Sequence, residues 1–130
     1  MKGDPHNPAD WRVVAERDLA SAHRCLAAAE PHLVGFCLEQ SAEKLLKGWL
    51  IAHGWSLVKT HDIIRLANEC LSHGLDLGWF DATGQRLKNL YFTERYVDDS
   101  PDPDPDDAEL ALLLADVEKL HTTLFPPPSP

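Results

Sequence analysis

Apolar residues along this chain recur at steps of three and four. From Trp11 they run through Ala15, Leu19, Ala22, Leu26 and Ala29, the stripe of an amphipathic helix that Asp10 can cap. Pro31 breaks it, because the residue before a proline is pushed out of helical geometry. Leu38, Ala42, Leu45, Leu46, Trp49 and Leu50 predict a second helix from about Pro31 to His53, closed by Gly54. Thr60 is the expected cap of a third helix, with His61 and Asp62 in its first turn. Ile63, Leu66, Ala67, Cys70 and Leu71 form its apolar stripe, and Gly74 stops it. A fourth helix is expected from Leu77 to Tyr96, with Phe80, Leu87, Leu90 and Tyr91 facing inward. Leu110, Leu113, Val117, Leu120 and Leu124 mark a last one, ended by Pro126, Pro127 and Pro128.

No stretch alternates apolar and polar residues, so no sheet is expected. Helices with short connections give an all-α, up-and-down bundle of four to five helices. The expected organisation is a flexible arm over 1–9, one bundle over 10–125 and a disordered tail over 126–130.

Composition changes this picture little. With 130 residues, 44% of them hydrophobic and 25% charged, the chain makes one ordinary globular domain. Cys25, Cys37 and Cys70 form no C-x-x-C pair and read as reduced, buried thiols. No apolar run is long enough to span a membrane. The first residues lack a signal-peptide pattern, so a cytoplasmic location is expected.

Charge changes it more. Seven of the negatives behind the net charge of −9 fall between Asp98 and Glu109, which leaves the remaining chain at −2. The body is therefore nearly neutral, which argues against broad electrostatic capture of nucleic acid. The segment 98–107 interleaves aspartates with Pro101, Pro103 and Pro105, so it is expected to stay extended. It reads as a solvated connector, a shield over its neighbours or a dock for a basic partner.

Candidate chemistry gathers on the second helix. Glu43 and Lys47 stand four apart, in the order of a favourable surface pair. Gln40 and Lys44 share a face with Cys37, Ser41 and Gly48. Lys44 can pair with Asp18 across the bundle. Alternatively Gln40, Lys44, Lys47, His61 and Arg95 line a polar groove for a nucleotide, an RNA phosphate or a partner chain. In a helix's first turn His61 would be held neutral by the macrodipole. Trp55 and Trp79 could form an apolar patch for dimerisation. The seven histidines show no metal-ligand spacing, and no phosphate-cradling glycine loop occurs. No metal and no cofactor are expected.

The run Phe36-Cys37-Leu38-Glu39-Gln40-Ser41-Ala42-Glu43-Lys44-Leu45-Leu46-Lys47, followed by Lys59-Thr60-His61-Asp62-Ile63, resembles the HEPN domain family. Asp18-Leu19 upstream and Arg95-Tyr96 downstream extend the likeness from Trp11 to about Leu124. The resemblance implies a helical bundle that dimerises. It also implies either a module paired with a minimal nucleotidyltransferase or a metal-independent endoribonuclease of the toxin kind.

The ribonuclease members carry Arg-x(4–6)-His, and Arg95 stands where that arginine is expected. Tyr96 follows it, and no histidine occurs before His121. Cleavage through the 2′-hydroxyl needs a proton shuttle near neutral pH, and a tyrosine with a pKa of about 10 supplies one poorly. Arg17 and His23 match the spacing, but they point to different faces of the first helix.

The expectation is therefore a non-catalytic, homodimeric HEPN module. Its expected partner is a nucleotidyltransferase in a toxin–antitoxin setting. An endoribonuclease built around Arg95 and Tyr96, and a helical scaffold or nucleotide sensor, are the alternatives.

Overall fold

The computed structural model describes residues 3–93 in full, the helical backbone of 94 and 95, and residues 103–128. Among them are α1 (Pro8–Ala27), α2 (Pro31–Ala52), α3 (Ile63–Ser72), a 3₁₀ turn (Gly78–Phe80), α4 (Asp81–Arg95) and α5 (Asp107–Leu124), with no strand. The helical periodicity of the sequence translates directly into this bundle.

The helix starts differ from expectation. α1 begins at Pro8, whose fixed φ and missing N–H suit the first helical position. Asn7, not Asp10, caps it, accepting from the Ala9 amide at 3.0 Å. Asp10 instead accepts from the amide of Asp4 at 2.8 Å, while the Trp11 indole donates to the Pro5 carbonyl at 2.9 Å. Asp62, not Thr60, caps α3, taking the amides of Ile64 at 3.0 Å and Arg65 at 3.3 Å. A carboxylate reaches both orphan amides, whereas Thr60 Oγ1 is occupied by the Asp62 amide. His61 therefore precedes α3, one residue before its cap.

Gly54 and Gly74 end α2 and α3 at φ +89° and +93°, as their positions suggested. The turn between α1 and α2 uses Ala29 at φ 57° and is closed by the Glu30 amide on the Cys25 carbonyl at 3.0 Å.

α2 is the centre of the bundle and touches α1, α3, α4 and α5. Val34, Leu38, Leu45, Leu46 and Leu50 on α2 are fully buried, against Ala15 and Ala22 of α1, Leu66 of α3, Leu87 of α4 and Leu110, Val117 and Leu120 of α5. Cys70 is buried as expected, but Cys25 and Cys37 are only half-buried. Trp49 belongs to the core and Trp55 packs against it. Trp79 sits under the Lys119 ammonium, 4.1 Å from its ring centre, with its edge on Phe80.

The stretch 98–102 of the acidic segment lies outside the described residues. Where the chain resumes, Arg86 holds it: Nη2 donates to the Pro103 carbonyl at 2.7 Å, and the guanidinium grips Glu109 with two bonds of 2.9 Å. Asp106 then caps α5 through the Glu109 amide. Among the described residues no helix is long and apolar enough to cross a membrane.

Candidate functional site

The polar strip on α2 divides into two sets with different neighbours. One set faces α1. Lys44 Nζ binds Asp18 Oδ2, with both side chains about one-fifth exposed, which is the pairing the sequence allowed. One turn before it, Ser41 Oγ donates to the Ala15 carbonyl at 2.9 Å. Further along, a Cβ on Gly48 would meet Trp11 Cβ at 3.0 Å. The strip of Cys37, Ser41, Lys44 and Gly48 is thus a close helix–helix seam and not an open groove.

The other set runs along Glu39, Glu43 and Lys47, four apart and therefore on one face. Glu43 and Lys47 were expected at the surface, but their side chains are 4% and 7% exposed. Burial of this kind requires partners, and each charged atom has one. Glu43 Oε2 accepts from Lys47 Nζ at 3.2 Å, and Oε1 accepts from His61 Nδ1–H at 3.0 Å. Lys47 Nζ also lies 5.4 Å from the centre of the Trp11 ring. Three elements therefore meet here: the start of α1, the middle of α2 and the approach to α3. His61 is the member that solvent reaches, with a side chain 72% exposed.

Glu39, one turn before Glu43, is buried, and its Oε2 accepts from Gln40 Nε2 at 2.8 Å. Burial pushes its carboxyl up to about 8; Gln40 pulls it down and Glu43 adds to the rise. It holds its proton at neutral pH, but no substrate can reach it. Next to the cluster, Asp62 receives Lys88 Nζ at 3.1 Å. Burial raises the Asp62 carboxyl, yet the Lys88 bond and the Arg65 and Ile64 amides outweigh it, so the group titrates below its usual range.

The structure thus joins Lys47 and His61 of the expected groove through Glu43. Lys44 turns to Asp18, and Gln40 lies beside Glu39. Arg95 is the last residue of α4; its side chain and all of Tyr96 lie outside the described residues. His53 donates from Nδ1 to the Trp49 carbonyl and stacks on that indole at 3.8 Å. His23 pairs with Glu118. Among the described residues no group of three or more His, Cys, Asp or Glu side chains could hold a metal ion.

Sequence reasoning missed Glu39 and the depth of Glu43. A signal was present: both stand at helical intervals from Leu46 and Leu50, on the buried stripe.

No curated protein and no solved structure gives a significant match to the chain. A family model for the HEPN domain matches residues 9–123, from the first turn of α1 to the last turn of α5. That span takes in the α1–α2 seam, the Glu43 cluster and the capped start of α3, the elements that carried the likeness in the sequence. The chain belongs to the HEPN domain family.

Proposed function

We propose that this chain is a non-catalytic HEPN module, a homodimer that acts with a minimal nucleotidyltransferase partner in a toxin–antitoxin pair. One observation carries the reading: the cations of the signature helix are already neutralised inside the chain. Lys44 is committed to Asp18 and Lys47 to Glu43. A phosphodiester would have to displace a carboxylate to use either of them. The absence of a histidine between Tyr96 and His121 points the same way, since no proton shuttle follows Arg95 at the spacing of the ribonuclease members.

The test is a titration with labelled single-stranded RNA at low salt and with EDTA present, alongside light scattering on the same preparation. Intact RNA and a dimeric mass support the proposal. Chelator-resistant cleavage lost in Arg95→Ala overturns it in favour of a metal-independent endoribonuclease. A monomer whose melting temperature rises with a free nucleotide overturns it in favour of a sensor.

A further inference from the structure

The seam between α1 and α2 contains two thiols that the proposed function leaves unused. Asp18 and Lys44 meet across it. Seven residues on from Asp18 stands Cys25, and seven back from Lys44 stands Cys37. Two antiparallel helices keep the same faces together at such steps, so the register that joins Asp18 to Lys44 also places Cys25 opposite Cys37. The Cys25 side chain is among the neighbours that push the Cys37 thiol up.

The helices also approach one another closely. Ala15 and Ala22 are fully buried in the seam, Ser41 touches the α1 backbone directly, and Gly48 leaves no room for a Cβ. Small residues bring helix axes together, which a disulfide's short Cα separation requires. Cys25 and Cys37 are half-buried, whereas Cys70 is fully buried.

We propose that Cys25 and Cys37 form a reversible disulfide, made by exchange with a low-molecular-weight disulfide, that staples α1 to α2. The thiolate of one cysteine attacks the small disulfide, forming a mixed disulfide and releasing one small thiol. The second cysteine loses its proton and attacks the protein sulfur of that adduct, expelling the second small thiol. Two protein thiols and one small disulfide become one protein disulfide and two small thiols, with no metal or further oxidant.

Cys25 is the first nucleophile. Burial, the neighbouring Cys25 and Asp18 push the Cys37 thiol up to about 11, with Arg24 opposing them, so Cys37 is held protonated at neutral pH. The resolving step by Cys37 is therefore slow and speeds up as pH rises. Closure is still favoured over a second adduct, because the partner thiol is already in place.

The full chain is incubated with oxidised glutathione at pH 7 and pH 9, quenched in acid, alkylated and digested for mass spectrometry. The expected product is a Cys25–Cys37 cross-linked peptide, formed faster at pH 9, with Cys70 as the alkylated thiol. Its melting temperature should rise by roughly 5–10 °C, the scale for closing a loop this short in a domain of this size. The rise should vanish in Cys25→Ser and reverse when dithiothreitol is added. Separate glutathione adducts on Cys25 and Cys37, three alkylated thiols after exposure, or an unchanged rise in Cys25→Ser would each overturn the proposal.

Discussion

Replacing Glu43 by alanine removes the acceptor that holds both Lys47 and His61. The larger loss concerns Lys47, whose ammonium stays in a site where its side chain is 7% exposed. Breaking a buried ion pair from one side costs about 3–5 kcal/mol, because the other charge is left without compensation. The Trp11 ring beneath Lys47 retains about 1 kcal/mol of that. His61, mostly in water, adds less than about 1 kcal/mol. The net expectation for Glu43→Ala is a loss of about 3 kcal/mol. For a domain of this size that lowers the melting temperature by about 10 °C.

Urea unfolding at pH 7, followed by far-ultraviolet circular dichroism with the m-value compared between variants, measures the loss. The control is the double variant Glu43→Leu with Lys47→Met, which replaces the pair by apolar groups of similar volume. It should lie within about 1 kcal/mol of the parent. A loss under about 1 kcal/mol for Glu43→Ala, or a larger loss for the double variant than for the single one, would refute the reasoning.

Two further outcomes follow from neighbouring carboxyls. Glu39 keeps its proton up to about pH 8 in the folded chain but releases it near 4.5 when unfolded, so its contribution is complete below 4.5 and is lost as pH rises through 8. Stability should therefore fall across that window by up to about 1.4 kcal/mol per pH unit. Glu39→Gln should flatten the slope and be more stable than the parent above pH 8; parallel pH profiles from thermal melts would contradict this. Asp62 titrates below 3.8, so its contribution is present above that value and disappears as pH falls through the folded pKa. Asp62→Ala removes the α3 cap and the Lys88 bond, and should cost about 1–2 kcal/mol at pH 7. The gap to the parent should narrow in acid, which calorimetry at pH 7 and pH 3 can check.

Helices and their order were legible in the sequence because burial repeats at the helical period over most of each segment. The Leu110 to Leu124 stripe became α5 without adjustment. The Lys44–Asp18 pair was legible too, since a lysine near an apolar face needs a carboxylate on the adjoining helix.

Starts were less so, because several residues near each start have capping chemistry and only geometry selects among them. Asn7 displaced Asp10 and Asp62 displaced Thr60 on that account. The Glu43–His61 contact spans 18 residues and depends on how the α2–α3 connection folds back, which no local pattern encodes. For the same reason Glu43 and Lys47 read as a solvated pair: their spacing is that of a surface salt bridge, and only the arrival of Trp11 and His61 encloses them.

The position of α2 has a consequence for how members of such a fold can diverge. Thirteen of its 22 residues are buried, and its charged side chains are partnered within the same chain. The α2 part of the text by which the family is recognised is therefore committed to internal contacts. A lineage could exchange one partner or ligand for another by changing the outward faces of α1, α4 and α5, leaving that text untouched.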